Sequence, residues 1–422
     1  MMRAFLLFWS ALWTVSLPLI RGYLRKRAKK DPLYAQHLPE RFGRYENPRK
    51  GAVWFHAVSL GEVRSAVPLM RAMLEAGEHL LITCFTPAGR REAEKVFAGE
   101  AVQVVWVPLE LERCFKRFFQ AFAPKLGLVM EVEIWPRMVQ SARDHGVPLL
   151  MCNAGYPLNS MMRDRGFPLR PAVMRRFAGA LVKSELQRER FREVGVEPIF
   201  VTGELRFDQP IPPAHPEKGA AALAALANGR PVIGLASIVE GEEELILSAI
   251  ARALTELTPR PLIVLVPRAP ERFAPVAEAL VEMGINFARR SELFDKDLTL
   301  KAPADIDLLL GDSIGEMYFY LSMTDRVLVG GGFTPKGSHN IIEPLALGKP
   351  VVVGPDISTI EYPAVEAIRA GVCLQVGPDQ VLRAFSAEGW AGPTPDQITA
   401  FLAEHSGGTR RAMEALQPWL QR

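Results

Sequence analysis

The sequence predicts an α/β protein of two doubly wound domains, each a parallel sheet with helices on both faces. Three observations carry that reading. From Ala52 onward, short apolar runs alternate with amphipathic helical patterns, as βαβ units do. The stretch Asp208–Gly219, DQPIPPAHPEKG, breaks the alternation with four prolines, after which it restarts. Late in the chain, GGGFTPKGSHNIIEP at Gly330–Pro344 sets a glycine-rich turn between an apolar strand and a helix start, a place where phosphate is commonly cradled.

A chain of 422 residues holds roughly two or three domains' worth of core. Cys84, Cys114, Cys152 and Cys373 lack metal-type spacing and read as reduced core residues. The seven histidines form no HxxH or HExxH pattern, so no metal site is expected. The net charge is +3, but the first 30 residues carry seven Lys/Arg and no acid, which leaves the remainder net acidic. This distribution argues against a general nucleic-acid surface.

Taken in order, the chain opens on an uncharged apolar run, Ala4–Ile20, at the lower end of membrane-spanning length, with Pro18 expected to shorten its regular helix. Arg21, Arg25, Lys26, Arg27, Lys29 and Lys30 follow it, and should keep the body on the cytoplasmic side against anionic headgroups. Spanning, lying in the interface and packing as a buried first helix all remain open. Residues 1–30 are therefore assigned to an anchor segment and 31–207 to the first domain. Residues 208–219 form the linker, 220–394 the second domain, and 395–422 a helix packing back on the first.

Strands are expected at Ala52–Val58, Leu80–Phe85, Val102–Val107, Leu126–Met130 and Pro148–Cys152, then near Leu181 and at Ile199–Val201. After the linker they recur at Val232–Ala236, Leu262–Val266, Asp307–Leu310, Arg326–Val329 and Val351–Val353. Two such domains in succession put a cleft between the carboxyl ends of their sheets, where ligands of such folds bind.

Candidate chemistry collects at those strand ends. Glu62, in HAVSLGE, is placed either as a general base or as an acid favouring a helix N-terminus. Glu131 and Glu133, in MEVEIWP, read as a second acidic turn or as caps before Pro136. Arg268 and Arg272 could hold a phosphate or carboxylate, or form surface ion pairs. Backbone near Gly315 could border a base or sugar. The loop with Lys336, Gly337, Ser338 and the cap-like Asn340 would face phosphate, and Glu343 would reach ribose hydroxyls.

The segments HAVSLGEV, MEVEIWP, VTGELRFD, SIVEGEEE, VPRAPERF, GDSIGEM and GGGFTPKGSHNIIEPLALGKPVVVGP, in this order and with Glu40-Arg41-Phe42-Gly43 before them, resemble the 3-deoxy-D-manno-octulosonic acid (Kdo) transferase family. The resemblance implies a GT-B fold, two Rossmann-like domains facing a central cleft, with an N-terminal membrane-associated helix. It implies an inverting glycosyltransferase that needs no metal or other cofactor. The donor would be CMP-Kdo, and the acceptor the glucosamine disaccharide of a lipid A precursor at the cytoplasmic face of the inner membrane. Glu62 would be the base and Glu133 its support. Arg268, Gly315, Glu316, Lys336, Gly337, Ser338, His339, Asn340 and Glu343 would hold the CMP-sugar.

The chain departs from the family pattern at four places. Ile238-Val239 stand for Thr-His, Ala269 for His, Gly155-Tyr156-Pro157 for Arg-Leu-Ser, and Glu204-Leu205-Arg206 for Asn-Leu-Lys. These departures bear on donor identity and motivate the alternative of a silent homologue acting as a binding or scaffold protein in envelope lipid assembly. A GT-B sugar-nucleotide epimerase is a third reading, against which the apolar N-terminus argues.

Overall fold

In a computed structural model, which describes residues 2–386 and 388–421, the chain divides into two units. The first holds the chain up to Gln209 and again from Ser406; the second is Pro210–His405.

The first unit contains β1 (Val53–His56), β2 (Leu80–Cys84), β3 (Val102–Trp106), β4 (Leu126–Met130), β5 (Leu149–Ala154), β6 (Gly179–Val182) and β7 (Ile199–Val201). They form one parallel sheet in the order β3-β2-β1-β4-β5-β6-β7. Every residue of β1, β2, β4, β5 and β6 is buried, as expected of strands covered on both faces. Alternate side chains serve opposite cores. Trp54, Leu81, Val129 and Met151 join Phe115, Phe118 and Phe119 of the helix Glu112–Phe122. Phe55, Ile82, Leu128 and Leu150 join Val63, Leu69 and Met73 of the helix Leu60–Glu75.

The second unit repeats the plan with β8 (Val232–Ile238), β9 (Leu262–Pro267), β10 (Phe287–Arg289), β11 (Leu308–Leu310), β12 (Arg326–Val329), β13 (Val351–Val353) and β14 (Cys373–Gln375). All pairings are parallel, in the order β10-β11-β9-β8-β12-β13-β14. Chain direction through each sheet reverses once, between β1 and β4 in the first and between β8 and β12 in the second. Open parallel sheets bind ligands beyond the carboxyl ends of their strands at such reversals.

Three expectations are corrected. Residues 214–219 of the expected linker belong to the helix Ala214–Leu226; Pro216 lies in its first turn, where a missing N–H loses no helical bond. The terminal segment is two helices, Pro395–His405 in the second unit and Gly408–Leu420 in the first, parted at Gly407 with φ +80°. Asp208 caps the latter helix, accepting from Gly407 N and Thr409 N at 2.6 Å each. Pro18 does not shorten the first helix, which runs Met2–Ala28. Both Pro18 and Thr14 are exposed, so the carbonyl that proline leaves unbonded lies on the solvent side.

That first helix lies along the first unit. Trp13, Leu17 and Ile20 pack with Phe42 on Leu109, Leu111 and Cys114, and Leu6 and Leu24 are buried. Each fully buried leucine stabilises by about 1.5–3 kcal/mol. Trp9 Nε1 donates to Glu110 Oε2 at 2.9 Å, and Arg137 Nη2 donates to the Leu6 carbonyl at 2.9 Å and Ser10 Oγ at 2.7 Å. Glu110 is 2 % exposed and also accepts from Arg137 N and Met138 N, in the first turn of the helix Pro136–Asp144. Burial raises its carboxyl to about 7. By length and composition the segment from Ala4 is apolar enough to cross a membrane. Its opposite face exposes Leu7, Phe8, Leu12, Val15, Leu19 and Tyr23.

Candidate functional site

At the reversal of the first sheet, β1 ends at His56 and the chain turns through Val58 into the helix Leu60–Glu75. Ser59 caps that helix, its Oγ accepting from Glu62 N at 3.4 Å. The Glu62 carboxylate reaches back: Oε2 accepts from Val58 N at 2.7 Å and Oε1 from Ser59 Oγ at 3.0 Å. This reciprocal arrangement is a capping box extended by one residue. Glu62 is 8 % exposed. Burial raises its carboxyl to about 7, the charges of Glu131 and Glu133 add to the rise, and the two hydrogen bonds restrain it. Such a carboxyl is half ionised near neutrality, as a general base requires.

Beyond β4, Glu131 has φ +57°, a left-handed conformation strained for a non-glycine residue. Its carboxylate lies 3.8 Å from Arg206 Nη2. Glu133 accepts from Trp135 Nε1 at 2.9 Å, and Trp135 packs edge-on against His56. His56 is fully buried, donates or accepts with Thr83 Oγ1 at 2.9 Å, and is driven down to about 3 by burial, so it stays neutral. The structure thus gathers Glu62, Glu131 and Glu133 on one sheet edge.

Sequence reasoning did not pair the next group. Glu204 is 2 % exposed, bonded to Lys183 Nζ at 2.7 Å and to Asn153 Nδ2 at 2.7 Å. Asn153 has φ +53° and its Oδ1 accepts from Leu205 N at 3.1 Å. Burial alone would push the Glu204 carboxyl up, but Lys183 and Arg206 outweigh it and hold the group at about 2. The Lys183 stem passes over Gly155, where a Cβ would stand 3.8 Å from its Cδ. Two of the four departures in the sequence, Gly155 and Glu204–Arg206, are therefore joined through one lysine. Glu40 and Arg41 are structural. Glu40 Oε2 takes Arg90 Nη1 and Trp106 N, both at 2.7 Å, and Arg41 is buried over the Trp106 ring.

In the second unit, the glycine-rich turn after β12 is held from inside by Glu242. Gly331 N donates to Glu242 Oε1 at 2.7 Å, Phe333 N to Glu242 Oε2 at 3.4 Å, and Val239 N to Glu242 Oε1 at 2.9 Å. Two backbone donors of this turn are thus occupied by the protein's own carboxylate, upstream of the Lys336–Asn340 backbone expected to face phosphate. The glycines are needed because the chain passes so close: a Cβ on Gly330 would strike Glu242 Oε1, and one on Gly332 would strike Ser338 Oγ. Gly337 N donates to Thr334 O at 3.3 Å, while Ser338 turns inward, its N and Oγ donating to Asp356 O at 2.8 and 2.9 Å. Those two positions shape the loop from inside. Glu242→Ala would strand two or more buried donors at ~1–3 kcal/mol each. Chemical denaturation should show a loss of about 2–4 kcal/mol; a loss under 1 kcal/mol would deny Glu242 this role.

Side chains remain to meet a ligand. Arg268, at the end of β9, is exposed, and Lys336 is exposed on the loop. His339 is half-buried; burial and then the Arg268 charge lower it to about 4, and its Nε2 is buried without a hydrogen-bond partner. Asn340 Oδ1 accepts from Ile342 N at 3.0 Å, as its cap-like position suggested. Glu343 is half-buried near Tyr318, whose phenol is pushed up by burial and by the Glu343 charge. Arg272 is taken by Glu243 and Glu240. Gly315 is exposed with φ +88°, but Glu316 is bound to Arg290 at 2.7 Å and to Ser313. Of the departures here, Ile238 joins the core and Val239 is 8 % exposed, so both fill space where a polar pair was expected. Among the described residues, no group of three His, Cys, Asp or Glu could hold a metal.

A family model described as 3-deoxy-D-manno-octulosonic-acid transferase (kdotransferase) matches residues 36–209. A 3-deoxy-D-manno-octulosonic acid transferase of Bordetella pertussis is 38% identical over 96% of this chain and 96% of its own length. One of Haemophilus influenzae is 30% identical over 98% of this chain and 99% of its own. Among solved structures, a glycosyltransferase from Rickettsia africae superposes with a TM-score of 0.59 at 14% identity, covering 88% of this chain and 99% of that one. The glycotransferase of kitacinnamycin gives 0.52 at 15% identity over 88% and 100%. At that identity the likeness concerns the fold, a two-domain α/β GT-B fold.

Proposed function

Since the chain belongs to the 3-deoxy-D-manno-octulosonic acid transferase family and is a glycosyltransferase, we propose that it moves Kdo from CMP-Kdo to the glucosamine disaccharide of a lipid A precursor, inverting the anomeric carbon. Glu62 carries this reading: a carboxyl raised to about 7, at the reversal point of its sheet, beside two further carboxylates. An acceptor hydroxyl oxygen attacks the anomeric carbon, and the bond from that carbon to the CMP phosphate oxygen breaks. CMP leaves with the bonding pair, and the hydroxyl proton passes to the Glu62 carboxylate. Burial chiefly keeps the Glu62 carboxyl high, and the charge of Glu133, fixed by Trp135, adds to the rise.

On the donor side, Arg268 and Lys336 would neutralise phosphate and sugar carboxylate. His339 and Asn340 would supply neutral hydrogen bonds, Gly315 would border the base or sugar, and Glu343 would take the ribose. The work would be done at the cytoplasmic face of the inner membrane, with Arg25, Lys26, Lys29 and Lys30 against anionic lipid.

Incubation of the full chain with CMP-Kdo and a lipid A precursor should release CMP in step with a Kdo-bearing lipid. No transfer from any CMP-sugar would overturn the reading. Glu343→Ala should weaken CMP binding by about 1.5–3 kcal/mol, the range for hydrogen bonds to a charged group. Calorimetry showing unchanged CMP affinity would take Glu343 out of the site.

A further inference from the structure

We infer that the helix Met2–Ala28 does not cross the bilayer but lies in the plane of one leaflet, presenting Leu7, Leu12, Val15 and Leu19 to lipid. This rests on the reading that the protein works at a membrane, and goes beyond it by fixing how the anchor sits.

The helix has two faces, and both are spoken for. Contacts with the rest of the first unit begin at Met2 and continue through Leu6, Trp9, Trp13 and Leu17 to Leu24 and beyond. At ~1.5 Å per residue the line from Met2 to Leu24 is about 33 Å long, as long as the ~30 Å hydrocarbon thickness of a bilayer. A helix crossing the membrane while docked would carry the flanking body through the hydrocarbon, where its charged surface has no solvation. A helix crossing after undocking would strand buried polar groups. Arg137 would lose the Leu6 carbonyl and Ser10 Oγ, and the buried Glu110 would lose Trp9 Nε1. Neither route keeps the observed contacts.

The in-plane arrangement keeps all of them. The outward face offers an apolar ridge along the helix, and at its C-terminal end Arg25, Lys26, Lys29 and Lys30 are exposed. An anionic leaflet complements that pairing of apolar and basic surface, the pattern of interfacial helices.

The four native cysteines are buried, so single cysteines on the ridge can carry spin labels selectively. Leu7→Cys, Leu12→Cys, Val15→Cys and Leu19→Cys, each in the full chain, would be labelled and bound to vesicles of phosphatidylethanolamine and phosphatidylglycerol. All four positions are exposed, so labelling leaves the packed face intact. Power-saturation depths should all fall within one leaflet, with no steady trend along the helix from Leu7 to Leu19. Depths that run from one headgroup layer through the bilayer centre at Leu12 and Val15 towards the other would overturn the in-plane anchor, leaving membrane association standing. Four labels in water on vesicle-bound protein would overturn lipid as the occupant of this face. Protein that stays unbound would overturn the membrane reading itself, and this inference with it.

Discussion

Glu62→Gln should lower kcat by about 10²–10⁴-fold, the usual cost of removing a positioned base. CMP affinity should change by no more than a factor of a few, because the residues proposed to hold the nucleotide belong to the other unit. Glutamine keeps an acceptor for Val58 N and retains the side chain's length, so the loop Val58–Glu62 should hold its shape. Stability supplies the internal control. The Glu62 carboxyl is raised from 4.5 to about 7 in the fold, chiefly by burial. A raised acid contributes stability below its unfolded pKa and loses it as pH climbs through the folded value. Wild-type protein is therefore burdened at pH 8 by a buried charge that glutamine lacks, and the variant should be at least as stable there. The wild-type kcat should rise with pH through about 7, as the carboxylate forms, and the variant should lose that rise. A variant with near-native turnover would turn attention to Glu131 or Glu133. One that is slow and also unstable at pH 8 would mark Glu62 as a cap.

Much of this was legible locally. The short, mostly apolar run Ala52–Val58 reads as a strand, which the structure has at Val53–His56 with all four side chains buried, and Glu62 is conspicuous as an acid just past its end. Asn340 could be read as a cap from its place before Ile341-Ile342, and its side chain accepts from Ile342 N. What was not legible depends on distant partners or weak patterns. Glu242 looked like one acid among several at a helix start; that it occupies the glycine-rich turn is set by Gly331, 89 residues on. Glu110 carries no local sign of its bond to Trp9, 101 residues before it. Strand β10 escaped because it is three residues long and ends in Arg289, so no apolar run marks it. The docked face of the first helix was hidden differently. Its exposed ridge is as apolar as its packed face, so periodicity offers no contrast.

The second large effect is expected at Lys183. Lys183→Met keeps most of the side chain's apolar stem but removes the ammonium that stands 2.7 Å from Glu204 Oε2. Breaking a buried pair from one side is far costlier than never having made it, because the remaining charge stays buried, and about 3–5 kcal/mol is typical. Arg206 and Asn153 still touch or face the carboxylate, so the lower half of that range is the sounder expectation. The pH dependence separates this cause from a simple packing loss. In the wild type, burial opposes ionisation of Glu204 but Lys183 and Arg206 hold its carboxyl at about 2, against 4.5 unfolded. A depressed acid contributes stability above its unfolded pKa and loses it as pH falls through the folded value. Without the lysine, the carboxyl should protonate at higher pH, which removes the stranded charge. The deficit of Lys183→Met against wild type should therefore be largest near pH 7 and shrink steadily on acidification towards pH 3. Adding Glu204→Gln should return part of the loss at pH 7, since an amide still accepts from Asn153 and Arg206 N and strands no charge. Denaturant titrations of the two variants and wild type at pH 7 and pH 4 make the comparison. A deficit that stays constant with pH, or a double variant no better than the single, would mean that Lys183 contributes through its stem over Gly155 and not through its charge.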